Sequence, residues 1–166
     1  KTEKRLKRVQ RSLSRKSKGS NNRNKERIKV AKLYEKISNQ RKDNLHKIST
    51  QLVKDYDVIC IEDLSVNDML QNHNIAKSIA DASLYELRRQ LEYKADWYGK
   101  TVTVIDRSYP SSQICSSCGY RNQKTKDLSI RQWKCPSCGT HHDRDINAAK
   151  NILLEAISLL KDKYTF

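Results

Sequence analysis

The sequence predicts an α/β protein with a small metal-held module set into it. Two short runs rich in β-branched residues, Tyr56–Ile61 and Thr101–Ile105, are separated by a stretch with helical periodicity. Longer amphipathic patterns stand before the first run and near the end of the chain. Two Cys-x-x-Cys pairs, Cys115/Cys118 and Cys135/Cys138, are separated by sixteen residues. Such spacing has few explanations other than a zinc site.

Leu6, Val9 and Leu13 fall at helical spacing in a very basic segment, which predicts a short helix over residues 3–16. The turn formers of Lys18-Gly-Ser-Asn-Asn22 then break the pattern. A long amphipathic helix follows over 24–53, with Ile28, Ala31, Tyr34, Ile37, Leu45, Ile48 and Leu52 expected on its core face and a wide basic face opposite. The strand at Tyr56–Ile61 ends in Glu62-Asp63 and leads through a polar loop, 65–74, into a second helix over 75–98. Gly99 is placed to stop that helix. The strand Thr101–Ile105 ends in Asp106, and Tyr109-Pro110 with Ser111-Ser112 turns the chain into the cysteine module. Ala148, Ala149, Ile152, Leu153, Ala156, Ile157 and Leu160 then mark a last amphipathic helix. Two strands are too few for a sheet covered by several helices, since sheets usually hold about four to six. Further strands are expected outside this chain.

Hydrophobic residues make up 36% of the chain and charged residues 32%, which argues against one compact core filling its whole length. No run of apolar residues is long enough to span a membrane, and no signal peptide is recognisable. The chain opens on Lys1 rather than Met, as a piece of a longer protein would. Five cysteines, four at metal spacing, suit a reducing cytoplasm better than a disulfide framework. The net charge of +15 is concentrated: residues 1–54 hold 19 Lys/Arg against 4 Asp/Glu, while residues 55–166 hold 15 of each. Such a field attracts polyanions, nucleic acid first among them. The candidate phosphate contacts are Lys4, Arg5, Lys7, Arg8, Arg11, Arg15, Lys16, Lys18, Arg23 and Arg27. A solvated basic helix or a binder of acidic membranes is the alternative, but the segment lacks the strong apolar face of an interfacial helix.

Four thiolates around zinc leave no open coordination position, so Cys115, Cys118, Cys135 and Cys138 are expected to be structural. Gly119 and Gly139 each follow a pair, where a tight turn needs a small residue. His141 and His142 are alternative ligands, Arg131 and Lys134 are either phosphate contacts or solvated side chains, and Cys60 reads as a buried, unreactive thiol. Glu62 and Asp106 end the two strands, and Asp145 stands in the first turn of the last helix, where the dipole favours negative charge. Parallel strands would bring Glu62 and Asp106 out at one sheet edge. Converging carboxylates of this kind are the usual ligands of paired Mg²⁺ ions. The plainer reading makes Asp145 a helix cap and Glu62 a solvated strand end.

Ile61-Glu62-Asp63-Leu64 after a short strand, then SSQICSSCG, WKCPSCG and HDRDINAAKNI, together with the basic LKRVQRSLSRKSKGSNNR segment, resemble the C-terminal half of the transposon-encoded TnpB (OrfB) proteins. That family comprises RNA-guided DNA endonucleases related to type V CRISPR effectors and historically labelled transposases. The resemblance implies a RuvC-like nuclease domain of RNase H fold, here lacking its N-terminal strands, with an inserted four-cysteine zinc ribbon before its last helix. It implies Glu62 as the second catalytic carboxylate and Asp145 as the third, both holding Mg²⁺, with Arg144 and Asn147 as supports and the four cysteines as zinc ligands. The first catalytic Asp, which the family carries on its first strand, has no counterpart here, so the isolated chain is expected to cleave DNA poorly or not at all. The implied division is a basic helical segment at 1–54, a strand–helix–strand core at 55–108, the ribbon at 109–142 and the terminal helix at 143–166. DNA, guide RNA and the missing N-terminal part of the same protein are the expected partners, with no membrane, in a bacterial or archaeal cytoplasm near the nucleoid. A non-catalytic zinc-ribbon nucleic-acid-binding module is the alternative function, and a protein competing with the full-length enzyme is a third.

Overall fold

The structure, a computed structural model, describes residues 1–71 and 83–164. The chain divides into two compact units, Lys1–Gln51 and Leu52–Phe166.

The first unit is an antiparallel helical hairpin of α1 (Thr2–Ser14) and most of α2 (Asn21–Asp55). Leu6 of α1 is buried against Leu33 and Ile37 of α2, with Val9 and Val30 at the margin. Two polar contacts fix the antiparallel register. Gln10 donates to the Tyr34 hydroxyl at 2.7 Å, and Arg41 reaches Glu3 at 3.4 Å. The turn between the helices is closed by side chains: Ser20 Oγ accepts from the Arg23 N–H at 3.2 Å and caps α2, as Ser does by preference. The Arg23 guanidinium donates to the carbonyls of Leu13 and Lys16, both at 3.1 Å, where α1 leaves carbonyls without helical partners. The expected core face of α2 is only partly right. Ile37 and Leu45 are buried, but Ile28, Tyr34 and Ile48 are exposed. Leu33 takes the place that the periodicity gave to Tyr34, because α1 is narrow and covers only the row Val30–Leu33–Ile37.

In the second unit, β1 (Val58–Glu62) and β2 (Thr101–Ile105) pair in parallel, from Val58 opposite Thr101 to Glu62 opposite Ile105. The ladder is extended at both ends by Thr101 N–H to Asp57 O at 2.9 Å and Asp63 N–H to Ile105 O at 3.0 Å. Between the strands stand a short helix, α3 (Val66–Gln71), inside the segment expected to be loop, and α4 (Leu84–Tyr98). The Ser65 hydroxyl donates to the Asp68 carboxylate in the first turn of α3, a local arrangement the apolar pattern does not reveal. The predicted helix over 75–98 is observed from Leu84; residues 75–82 lie outside the described residues. Gly99 ends α4 in the left-handed conformation, φ 61°, with the Lys100 N–H returning to Ala95 O at 2.8 Å. Leu91 and Ala95 of α4 bury against Ile59 of β1 and Val53, which lies in the last turn of α2.

The chain then forms a second, antiparallel pair, β3 (Gln132–Lys134) and β4 (His141–Asp143), and ends in α5 (Arg144–Tyr164), which packs on both parallel strands. Among the described residues the main sheet therefore has two strands only. Leu91 is 3% exposed at the centre of the second unit's core. Leu91→Ala should lower unfolding free energy by about 3 kcal/mol, measured by urea denaturation, through lost burial and the cavity left behind.

Candidate metal centre and carboxylate cleft

The cysteine module is built from two equivalent knuckles. In the first, Gly119 N–H returns to Cys115 O at 2.8 Å and Cys115 N–H bonds Tyr120 O at 2.9 Å. In the second, Gly139 N–H returns to Cys135 O at 2.9 Å and Cys135 N–H bonds Thr140 O at 2.8 Å. Both glycines adopt positive φ, 77° and 74°, which is why the sequence carries Gly after each pair. The knuckles bring the four sulfurs within 4.8 Å of one another, with Cys115 to Cys138 and Cys118 to Cys135 each at 3.7 Å. A tetrahedron with metal–sulfur bonds of about 2.3 Å has edges of roughly this length, so the quartet fits an ion such as zinc. Among the described residues it is the group of His, Cys, Asp or Glu side chains gathered tightly enough to hold one.

Thr140, through its hydroxyl 3.2 Å away and its backbone N–H, pulls the Cys138 thiol down to about 6. For Cys118, the backbone of Tyr120 lowers the thiol, but desolvation and the three neighbouring sulfurs outweigh it and push it up to about 11. His142 is not one of the gathered ligands. Its Nε2 lies 3.0 Å from Cys115 Sγ, its ring stacks at 4.7 Å on Trp133, and burial lowers its basicity, so a neutral imidazole hydrogen-bonds a ligand sulfur. His141 is exposed on β4. Cys60 is half-buried in β1, and desolvation raises its thiol, in keeping with an unreactive side chain.

The ribbon passes into α5 without a linker. Arg144 N–H bonds Arg131 O at 2.8 Å and so continues the β3–β4 ladder into the helix. Asp143 is the cap of α5: its Oδ1 accepts from the N–H groups of Asp145 and Ile146, both at 3.0 Å. Asp145 is therefore not the cap, and its carboxylate is left 76% exposed with Arg131 at 3.4 Å. Arg144 is half-buried beside it. Asn147 is almost fully buried. Its Oδ1 accepts from Ser116 N–H at 2.9 Å and its Nδ2 donates to Ile114 O at 2.6 Å. One turn on, Asn151 donates to Ser111 O at 2.7 Å and to Ile114 O at 2.6 Å. Asn147 thus stitches α5 to the first knuckle. Asn151 shares that task, and only its four-residue spacing from Asn147 could have suggested it.

Glu62 stands at the end of β1 in a cleft of about 340 Å³ lined by Ile61, Leu64, Leu84, Tyr85, Arg88 and, from α5, Ile152. Desolvation raises its carboxyl above the ordinary range. Its neighbour Asp63 is lowered by Arg88, at 2.6 Å, and by Arg107, at 2.9 Å. Asp106 follows Ile105, the partner of Glu62, and so alternates to the opposite face of the sheet. It is exposed and accepts from the Ser108 N–H at 2.7 Å; the parallel strands bring Glu62 and Asp106 out at one sheet edge, as expected, but on opposite faces.

In the helical hairpin, Lys4, Arg5 and Arg8 line a hollow of about 840 Å³ with Lys1, Lys36 and Leu33. Lys7, Arg11, Arg15, Lys16, Lys18 and Arg27 are exposed outside its lining, and Arg23 is engaged in closing the helical turn. No helix among the described residues is long and apolar enough to cross a membrane.

An α/β unit with a four-cysteine ribbon joined rigidly to its last helix, preceded by a basic helical hairpin, defines the class of protein. The family model described as "Probable transposase", of OrfB type, matches residues 1–73, and that described as "Cas12f1-like, TNB domain" matches residues 85–152. The "Putative RNA-guided DNA endonuclease" of Streptomyces pristinaespiralis is 49% identical over 93% of this chain and 38% of its own length. The "Putative RNA-guided DNA endonuclease InsQ" of Escherichia coli K12 is 37% identical over 96% of this chain and 43% of its own. The chain thus spans about two fifths of the length of these relatives. The structure of a Cas12f1–sgRNA–target DNA complex matches with a TM-score of 0.64 at 20% identity, over 90% of this chain and 40% of that one. The chain belongs to the TnpB/OrfB family and is related to the type V effectors through Cas12f1.

Two outcomes test the site. Cys135→Ser should lose bound metal, counted per chain by atomic emission, whereas Cys60→Ser should retain the full content. Asn147→Ala should lower stability by about 2 kcal/mol in urea denaturation, since it leaves the Ser116 N–H without its partner and the Ile114 carbonyl with Asn151 alone.

Proposed function

We propose that the chain is the nuclease-bearing part of an RNA-guided DNA endonuclease of the TnpB type, hydrolysing phosphodiester bonds with metal assistance. The observation that carries this reading is the partly desolvated Glu62 carboxylate at the end of a parallel strand, on which the helix bearing Asp145 packs. The fold on this reading is RuvC-like, with β1 and β2 as later strands of an RNase H sheet whose N-terminal strands the rest of the protein supplies. The functional divisions are the basic helices 1–54, the core 55–108, the ribbon 109–142 and the terminal helix 143–166.

Glu62 and Asp145 would hold catalytic Mg²⁺, together with a first carboxylate supplied from outside this chain. Magnesium, when bound, supplies an activated water and stabilises the departing oxygen. Glu62 contributes a charge that its surroundings among the described residues leave unpaired, and the aliphatic walls of the cleft limit competition from bulk water. Asp145 contributes a second charge from the first turn of α5, its direction fixed by the ladder that runs from β3 into the helix. Arg144 and Asn147 support it, Asn147 through the knuckle it binds. Zn²⁺ in the Cys115, Cys118, Cys135, Cys138 site is structural, since four thiolates close its coordination shell. Lys4, Arg5, Arg8 and the other basic side chains of 1–54 hold the backbone of guide RNA or target DNA, and the protein works in a prokaryotic cytoplasm.

A non-catalytic zinc-ribbon nucleic-acid module is the second reading, favoured by the fact that Glu62, Asp106 and Asp145 do not form a gathered ligand group among the described residues. The two readings part in one experiment. In the full-length protein, Glu62→Gln and Asp145→Asn should each lower Mg²⁺-dependent cleavage of target DNA by about a hundredfold or more, while guide RNA binding is retained. The isolated chain should not cleave, and cleavage unaffected by Glu62→Gln sinks the nuclease reading. The same substitution has a stability signature. The raised carboxyl means that ionising Glu62 disfavours the folded state, so stability is lost as pH rises through its folded pKa. Glu62→Gln should therefore raise the melting midpoint at neutral pH, with the gain vanishing near pH 4, about where an ordinary Glu is protonated.

A further inference from the structure

Helix α4 carries a file of side chains on the face away from its core. Leu87, Leu91 and Ala95 face the buried cluster. Tyr85, Arg89, Tyr93 and Trp97 also recur at four-residue steps but are displaced by two residues, about 200° around the helix. The file is connected. The Arg89 guanidinium carbon lies 5.3 Å from the centre of the Tyr93 ring, and Tyr93 meets Trp97 edge-on with centroids 4.7 Å apart. Arg89 is held from the other side by two 2.8 Å hydrogen bonds to Glu86. Tyr85 nevertheless remains 71% exposed and Trp97 75% exposed. Tyr85 also lines the cleft that contains Glu62, so the file begins at the candidate active site and leads away from it.

We propose that this file is a stacking platform for the unpaired bases of a single-stranded nucleic acid, guiding the strand to or from the Glu62 cleft. The inference rests on the nuclease reading for the destination of the strand. Its shape argues for a strand and not for a protein surface. Tyr, Trp and Arg also anchor protein interfaces, but there they sit within a broad patch with an apolar centre. Here the file is narrow: Glu86, Arg88 and Glu92 border it, and Tyr98 is the further exposed aromatic beside Trp97. Both bordering acids are neutralised on the helix itself, Glu86 by Arg89 and Glu92 by Arg88, which lessens repulsion of phosphates and leaves Asp96 beside Trp97. The steps are about 6 Å along the helix, nearly twice the 3.4 Å spacing of nucleotides stacked in a duplex strand. Tyr93 and Trp97 touch edge-on and leave no gap for a base between them, so unpaired bases would meet the exposed Tyr85 and Trp97 rings at the two ends of the file, and a duplex hides the base faces those rings would meet. From Tyr85 to Trp97 the platform runs about 18 Å, enough for a few extended nucleotides.

The test uses the 166-residue chain and two probes of equal length and charge, an oligothymidylate of about twelve nucleotides and its abasic counterpart. The chain should bind the thymidylate about tenfold more tightly than the abasic strand and show tryptophan quenching with the thymidylate alone. Trp97→Ala and Tyr85→Ala, both at exposed positions, should each remove about five- to a hundredfold of thymidylate affinity and leave abasic affinity unchanged, with Trp97→Phe restoring most of the loss. Equal binding of the two probes, or unchanged thymidylate affinity in both alanine variants, overturns the proposal. So does a Trp97→Ala chain that alters self-association in sedimentation while thymidylate binding stays intact. Failure of the nuclease reading looks different: base-dependent binding behaves as stated, but Glu62→Gln leaves cleavage by the full-length protein untouched.

Discussion

The ribbon is held together by four sulfurs and little else. Its buried side chains are Ser111, Cys115, Thr125, Trp133, Cys135 and His142, with Ile130 at the margin of the cluster. Ordering roughly thirty residues costs on the order of 1 kcal/mol each or more in backbone entropy, which a core of that size cannot offset by burial. An ion bound by the gathered thiolates would supply the difference, its binding free energy becoming folding free energy for the module. The consequences extend past the ribbon, because β4 becomes α5 with a cap residue between them and no slack. Asn147 and Asn151 fasten the same helix to the backbone at Ser111, Ile114 and Ser116. Metal binding would thereby set the position of the helix that packs on both parallel strands.

The two-stranded sheet imposes the second constraint. A parallel pair buried by helices needs neighbours to satisfy its outer backbone groups, and a two-stranded sheet is marginal by itself. Relatives more than twice as long as this chain provide room for those neighbours. The register makes the requirement specific: β1 and β2 stop together, at Glu62 opposite Ile105, so an added strand in the same direction would deliver its own end residue to the same edge. That is where the reading of the chain as a nuclease needs its remaining carboxylate.

Much of this was legible in the sequence, for reasons that differ from element to element. The cysteines and the glycines after them announce the knuckles because metal geometry and positive φ admit few substitutes. Both parallel strands could be read because short β-branched runs bounded by acids and turns leave little else. The face of α2 was harder. Tyr34 and Leu33 are adjacent apolar positions, and only the width of α1 decides which one is buried. Arg23 could not be distinguished from the other basic residues until the end of α1 was seen to lack partners. Asn147 looked like a companion of Asp145, one position in a polar helix start, and its role in fastening the ribbon depends on backbone groups 31 and 33 residues away.

Glu62 and Asp63 show most directly how the fold separates a functional charge from a structural one. They are adjacent carboxylates at the end of one strand, and composition treats them alike. Alternation sends them to different surroundings. Asp63 lies between Arg88 and Arg107, which hold its carboxyl below the usual range and tie the end of β1 to α4 and to the segment after β2. Glu62 enters a cleft with mostly apolar walls, where desolvation raises its carboxyl and the one lining cation, Arg88, is engaged by Asp63 and Glu92. A protein selected for stability alone gains nothing from leaving that charge uncompensated beside Ile61 and Leu64. The arrangement makes sense where a metal cation completes the site, and the neutralised Asp63 beside it keeps the strand end rigid without competing for that cation.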